Sequence, residues 1–181
     1  MAGIASEDWV FLDESGVTTS LTRRYGRAPR GPRVVDRVPQ GRWQVLTLLG
    51  AITMQGILVA RTMPSATDGD VFRTYVEDLL CPNLRPGQVV IMDNLGAHKV
   101  AGVREAMEAA GCRLRYLPPY SPDLNPIEAA WAKGKAQLCA AKHRELAVLE
   151  QGVGPALQAI TATDAAGFFR HCGYTLQPTG N

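Results

Sequence analysis

The sequence predicts an α/β domain, because three β-type runs are followed by helices and strands in alternation. Two segments carry this prediction. Gly87 to Asp93 is short and almost wholly apolar, which is typical of a strand covered on both faces of a sheet. From Val71 to Leu80 the apolar residues instead recur at helical spacing, until Pro82 ends the pattern. With 181 residues and 46% apolar content, we expect one domain spanning residues 1–181.

The first three elements are predicted to form an antiparallel meander of strands. Their predicted ranges are Trp9 to Asp13, Trp43 to Ile52 and Ile57 to Met63. Gln55-Gly56 supplies the second turn, whereas the segment between the first two strands is rich in Pro and Gly and is predicted to be a loop or irregular hairpin. The stretch Thr67-Asp68-Gly69-Asp70 is typical of a helix cap, just before the first helical pattern.

The second half of the chain predicts four helices and one strand. The predicted elements are a helix at Lys99 to Ala110, a strand at Cys112 to Leu117, a helix beginning near Asn125, and helices at Arg144 to Ile160 and Asp164 to His171. Pro126 suits the first position of its helix, and Asn125 is expected to cap it. A break is expected near Gly152 to Pro155.

Positive charge is concentrated between Leu21 and Arg42. This segment has one acid, Asp36, and seven arginines, namely Arg23, Arg24, Arg27, Arg30, Arg33, Arg37 and Arg42. Its charge is therefore +6, which leaves −4 for the rest of a chain whose net charge is +2. Such clustering is an electrostatic footprint for a polyanion such as DNA, although a solvated loop gives the same pattern. Arg23, Arg24, Arg27 and Arg30 are the candidate DNA contacts.

Other compositional features exclude several classes of protein. The first residues lack the regions of a signal peptide, and no apolar run approaches the roughly 18 residues of a membrane helix. A cytoplasmic protein with no membrane partner is expected. The four cysteines form no CxxC pair, which argues against zinc and against a disulfide framework.

Three acids lie where predicted buried elements end or begin. Asp13 and Asp93 each follow an apolar run, and Glu128 lies in the first turn of a predicted helix. Carboxylates brought together in this way are typical ligands of hard divalent cations such as Mg²⁺. Each acid taken alone also suits an ordinary turn residue or a first-turn helix acid.

The motifs around these acids resemble those of mariner-like bacterial insertion-sequence transposases. The resemblance lies in Phe11–Gly16, in Met92–Asn94 with Ala97 and His98, and in Tyr120–Trp131, and it extends to Tyr25–Gly31 and Phe168–Tyr174. It implies a ribonuclease-H-like fold with a central mixed five-stranded sheet flanked by helices. It also implies a catalytic metal triad of Asp13, Asp93 and Glu128, with thirty-four residues between the last two.

The resemblance implies two Mg²⁺ or Mn²⁺ ions per site, which would activate an oxygen nucleophile and stabilise the departing oxyanion. Asp13 is the candidate bridging ligand. His98 and Asn125 are expected to support the site, and Lys135, two helical turns after Glu128, is a candidate DNA-backbone contact.

The resulting hypothesis is a DDE transposase domain that cleaves transposon ends and joins the 3′ hydroxyl to target DNA. The alternatives are a nuclease that only hydrolyses and an inactive, domesticated remnant that binds DNA or assists assembly. The family's N-terminal helix-turn-helix region is expected to be absent from this chain, and an upstream reading frame is expected to supply it. A homo-oligomer associated with the nucleoid is the expected active form.

Overall fold

The computed structural model describes residues 6–23, 25–64, 66–94 and 99–174. These residues contain one five-stranded sheet with helices on both faces. The strands are β1 (Trp9–Thr18), β2 (Val45–Thr53), β3 (Gly56–Met63), β4 (Val89–Met92) and β5 (Arg113–Tyr116). The α-helices are α1 (Gly69–Tyr75), α2 (Val103–Ala109), α3 (Pro126–Ala141), α4 (Leu146–Gln158) and α5 (Ala162–His171). The predicted α/β architecture is confirmed.

The sheet is mixed, with strand order β3-β2-β1-β4-β5. The predicted meander is confirmed, since β1, β2 and β3 pair antiparallel. In contrast, β4 is parallel to both β1 and β5. The apolar β4 thus lies inside the sheet, with one face covered by α3, α4 and α5 and the other by α1 and α2.

Side-chain alternation along the central strands separates the two apolar layers. Phe11 and Ile91 belong to the layer that contains α3, whereas Val10 and Val90 belong to the layer that contains α1 and α2. All four side chains are at most 1% exposed. This alternation fixes the face toward which the next side chains along each strand point.

Two element boundaries differ from the prediction, the first because of strand pairing and the second because of backbone geometry. β1 continues past Asp13, since Glu14 to Thr18 pair with β2. α2 begins at Val103 rather than at Lys99, because Gly102 adopts a left-handed conformation, with φ of +94°, at the N-cap. The cap predicted within Thr67-Asp68-Gly69-Asp70 is confirmed, since the Asp68 carboxylate accepts a hydrogen bond from the backbone N–H of Val71.

The break predicted near Gly152 to Pro155 was wrong, because α4 runs through this segment without interruption. Pro155 lacks only one N–H donor, and the helix retains a packed face of Leu149, Val153 and Ala156 against the core. After α1, the chain continues as a π-helical segment, Val76–Leu80, and a 3₁₀ turn, Cys81–Asn83. Pro82 lies in that turn, close to the predicted end of the pattern.

Close packing between α3 and the sheet depends on Gly50. A Cβ atom at this position would lie 2.8 Å from Cη2 of Trp131 and 3.2 Å from the carbonyl oxygen of Val59. Trp131 is 1% exposed, as the sequence predicted for a core residue. Since Gly50 pairs with Asp13 across β1 and β2, the absence of a side chain lets α3 approach the sheet beside that aspartate.

An aromatic cluster fixes the loop that leads into α3. The Tyr174 ring lies 5.2 Å from the Trp9 ring and 5.2 Å from the Phe11 ring, between ring centroids. Its hydroxyl donates a 2.6 Å hydrogen bond to the carbonyl oxygen of Leu124. Burial raises the pKa of Tyr174 to about 12, so this hydroxyl remains a donor at neutral pH.

A link between helices further secures α3. Lys133 on α3 donates to the carboxylate of Asp164, which also completes a capping box with Thr161 at the start of α5. These hydrogen bonds lower the pKa of Asp164 to about 2, and the one from Lys133 has the largest effect. In the described residues, no helix is long and apolar enough to cross a bilayer.

We predict that Gly50→Ala destabilises the fold by about 1–3 kcal/mol, because the added methyl group must displace the Trp131 ring or the β3 backbone. Denaturant titration measures the free energy of unfolding. Gly154→Ala is the matched control, since a Cβ atom there would have no neighbour within 4 Å in an exposed part of α4. That control is expected to be neutral or stabilising by up to about 1 kcal/mol. An equal effect of both substitutions would contradict the close-packing explanation.

We predict that Tyr174→Phe lowers the free energy of unfolding by about 1 kcal/mol, because the carbonyl oxygen of Leu124 loses its donor. Tyr25→Phe is the control, since Tyr25 is 90% exposed. A raised folded-state pKa stabilises the protein below the unfolded value near 10.0, and this stabilisation disappears as pH rises through about 12. The difference between wild type and Tyr174→Phe should therefore shrink over that range. A difference independent of pH would assign the effect to packing.

Candidate active site

A pocket of about 310 Å³ lies at the carboxyl end of β4 and the start of α3. It combines acidic, amide and proline side chains. Its lining residues are Asp13, Asp93, Asn94, Leu117, Pro118, Pro119, Tyr120, Ser121, Pro122, Asn125 and Glu128. All three predicted catalytic acids therefore lie at one pocket.

Strand register places the two aspartates side by side. Leu12 pairs with Met92 in the parallel β1–β4 ladder, so Asp13 and Asp93 occupy the next position of their respective chains. Both follow the alternation of Phe11 and point toward the face covered by α3. Asp13 is 7% exposed and Asp93 is half-buried. The sheet thus fixes the position of the two carboxylates.

Glu128 reaches the pocket from the first turn of α3. Its neighbours Ile127, Ala130 and Trp131 are buried and anchor this turn against the sheet. Glu128 itself is exposed. Within the described ranges, no group of three Asp, Glu, His or Cys side chains is arranged to hold a metal ion. The acids share a pocket without forming a complete ligand cage.

Asn125 lines the pocket, but its predicted role as a side-chain cap was wrong. It occupies the N-cap position of α3, yet its side chain makes no capping hydrogen bond. The backbone carbonyl of Asn125 instead accepts from the N–H of Glu128 at 3.1 Å, and Pro126 has no N–H to donate. The local backbone therefore replaces the expected side-chain cap.

Two further predicted site residues are His98 and Lys135. His98 lies outside the described residues, so its predicted supporting role stays a prediction. Lys135 is half-buried on α3, two turns beyond Glu128, and is not among the pocket's lining residues. The three acids and Asn125 are thus the predicted residues that the fold brings together.

Sequence reasoning missed Tyr120 at the rim of the pocket. It is fully exposed and has a φ of 56°, which is uncommon for a residue other than glycine. Asn94, immediately after Asp93, was also missed as a lining residue. Both residues could have been identified from the sequence, because each lies in a motif that also contains one of the three acids.

The basic segment is an exposed irregular loop, as predicted, between β1 and β2. Arg23, Arg27 and Arg30 are exposed in it, whereas Arg24 lies outside the described residues. The segment's acid, Asp36, forms a 2.9 Å salt bridge with Lys142 at the end of α3. That hydrogen-bonded ammonium group lowers the pKa of Asp36.

The base of this loop is held by a few long-range hydrogen bonds. Arg144 donates through Nη1 to the carbonyl oxygens of Thr19 and Leu21, at 3.1 and 3.0 Å. Thr19 and Gln44 close the loop through their backbone groups. Among the described parts of the chain, the loop's arginine side chains form no salt bridge. The loop's described arginines are exposed.

Solved structures of Mos1 transposase share this fold. The Mos1 transposase paired-end complex with the left transposon end matches with a TM-score of 0.71 and 16% identity, over 93% of this chain and 52% of that one. The Mos1 strand transfer complex matches with 0.66 and 17%, over 93% and 51%. The mariner Mos1 paired-end complex with Mg matches with 0.65 and 16%, over 91% and 51%. The chain spans about half the length of these relatives.

The likeness to Mos1 confirms the ribonuclease-H-like fold. A search of curated proteins found no match. The sequence profile of the DDE superfamily endonucleases matches residues 8–150, which include Asp13, Asp93 and Glu128. The match covers well over half of the chain and the whole of the candidate site. The chain therefore belongs to the DDE superfamily of endonucleases.

Proposed function

We propose that this chain is the catalytic domain of a DNA transposase, which cleaves DNA at transposon ends and transfers the 3′-hydroxyl strand to target DNA. The observation that carries the proposal is that Asp13 and Asp93 directly follow the paired Leu12 and Met92 on adjacent strands, at a pocket that Glu128 also lines, in a chain of the DDE superfamily. The Mos1 complexes with a transposon end and after strand transfer support both steps of the reaction.

The chemistry of the pocket fits divalent cations. Carboxylate oxygens are the ligands that Mg²⁺ and Mn²⁺ prefer, and Asp13, Asp93 and Glu128 supply them from three separate elements. Mos1 complexes with Mg and with Mn support this assignment. Two ions per site would activate the attacking oxygen and stabilise the departing oxyanion.

The two aspartates and the glutamate are suited to different tasks. Asp13 is buried in the central sheet, so its carboxylate would be held in place as a ligand that the cations share. Asp93, which follows the adjacent strand, would provide a second ligand. Glu128 is exposed on the first turn of α3, so its side chain has the rotamer freedom that would let it complete the set of metal ligands.

The basic loop is proposed to hold the DNA backbone. Arginine side chains bind phosphate in bidentate geometry, and the exposed Arg23, Arg27 and Arg30 have no competing salt bridge in the part of the chain that is described. Arg24 and Lys135 belong to the same proposal. Because Lys142 neutralises Asp36, the loop keeps its positive charge.

We further propose that a homo-oligomer acts on paired transposon ends and that an upstream-encoded helix-turn-helix region reads the terminal repeats. The paired-end complexes of Mos1, whose chains are about twice the length matched here, support both parts. Phosphate contacts alone give affinity without sequence information, so a base-reading module is required. With DNA as its substrate, the protein would act at the nucleoid.

We predict that Asp13→Asn, Asp93→Asn and Glu128→Gln each reduce Mg²⁺-dependent strand cleavage by roughly 10³-fold or more, a loss of about 4 kcal/mol in transition-state stabilisation. The melting temperature without metal should stay the same or rise, because carboxylate repulsion is relieved. A nicking assay on a transposon-end duplex, with the protein joined to its base-reading region, measures the loss.

Glu14→Gln is the matched control for the triad. Glu14 follows Asp13 on β1 but pairs with Leu49, whose side chain faces the opposite layer of the core. It is therefore expected to keep wild-type cleavage. Wild-type cleavage by a triad variant would remove that residue from the site. Cleavage without joining would favour the nuclease alternative over transposition.

We predict that replacing Arg23, Arg27 and Arg30 with alanine weakens DNA binding and flattens its salt dependence, by about one unit of slope for each phosphate that is no longer bound. Fluorescence anisotropy over a range of salt concentrations measures the slope. Arg73 and Arg104 are control positions. Each already forms a salt bridge with an acid four residues later in the chain, and both lie on the face of the sheet opposite to α3. An unchanged slope in the triple variant would show that these arginines are merely solvated.

A further inference from the structure

The Asn125 side chain is buried without the partner that its chemistry requires. It is only 3% exposed, and its Oδ1 atom has no hydrogen-bond partner within the described residues. A buried acceptor left without a donor carries the full desolvation penalty of that group. Such a group in a folded protein calls for a specific explanation.

Helix capping does not provide that explanation. An N-cap asparagine ordinarily uses its side-chain oxygen to accept from the N–H groups of the first turn. Here the side chain makes no such bond, and the N–H of Glu128 donates to the backbone carbonyl of Asn125. The side-chain oxygen is left for another ligand.

The backbone on both sides of Asn125 is anchored. The preceding carbonyl, that of Leu124, accepts the Tyr174 hydroxyl at 2.6 Å. The following residue, Pro126, is buried at the first position of α3. The carboxamide is therefore placed at the pocket by the surrounding fold, with no contribution from hydrogen bonds to its own oxygen.

The pocket that Asn125 lines also contains Asp13, Asp93 and Glu128. An amide oxygen is a hard, neutral ligand of the kind that divalent cations accept beside carboxylates. We propose that Asn125 is a fourth oxygen donor of the cation site, where its carboxamide oxygen adds a ligand without adding a fourth negative charge. This inference rests on the proposed function, since it assigns a further residue to the same site.

The test is Mn²⁺ binding to the purified chain, measured by titration calorimetry, together with the melting temperature in the absence of metal. Asn125→Leu and Asn125→Ala should each raise the Mn²⁺ dissociation constant by about tenfold or more. Removal of an unsatisfied buried acceptor should leave the metal-free melting temperature of Asn125→Leu unchanged or higher. Asn125→Asp keeps an oxygen at the position and should retain or strengthen Mn²⁺ binding.

A purely structural role predicts the opposite pattern. The metal-free melting temperature would then fall in both the leucine and alanine variants, and the Mn²⁺ dissociation constant would not change. That pattern would overturn the inference. If Asn125→Leu does not fold, the alanine and aspartate variants give the same comparison between losing and keeping the oxygen.

Asp93→Asn separates this inference from the proposed function. If Asp93→Asn loses Mn²⁺ binding while the Asn125 variants bind as wild type does, Asn125 is not a ligand and the proposed function is unaffected. If the wild-type chain does not bind Mn²⁺ at all, the metal site and the assignment of Asn125 both fail. Weakened binding in the Asp93 and Asn125→Leu variants, with binding retained in Asn125→Asp, would support both.

Discussion

The close approach of α3 to the sheet at Gly50 is the contact on which the candidate site depends. Gly50 pairs with Asp13, and the ring of Trp131 occupies the space that any side chain at Gly50 would fill. Glu128 precedes Trp131 by about one helical turn, so the same contact sets how near the glutamate lies to the aspartates. If a side chain at position 50 held α3 away from the sheet, the protein would keep all three acids, but Glu128 would lie farther from the two aspartates.

The site combines a rigid part with an adaptable part. Asp13 and Asp93 extend from neighbouring strands of a hydrogen-bonded ladder in the centre of the sheet, where side-chain positions are fixed by packing. Glu128 lies on an exposed helical turn, although the turn itself is anchored by Ile127 and by the loop that Tyr174 secures. The Glu128 side chain can therefore change its rotamer without a change in the fold.

The sequence predicted features that depend on local patterns, such as the strands, the helix cap within Thr67–Asp70 and the start of α3 at Pro126. It also identified the acids of the pocket, because their motifs resemble a known family. It failed where distant residues decide the outcome. The break expected in α4 does not occur because the helix is packed on the core, and the contact between Gly50 and Trp131 spans eighty-one positions of the chain. Neither feature has a local signature.

The distribution of charge links the pocket to the basic loop. Three carboxylates at one pocket repel a phosphodiester, so under the proposed function DNA alone would be held more favourably at the arginines of the loop than at the acids. A phosphate becomes acceptable at the pocket only when the negative charge of the carboxylates is balanced. Under the proposed function, binding of the DNA backbone and entry of the scissile phosphate would therefore be separate events, and the second would depend on the cation occupancy of the pocket. This separation would protect bound DNA from cleavage until the acidic site is filled.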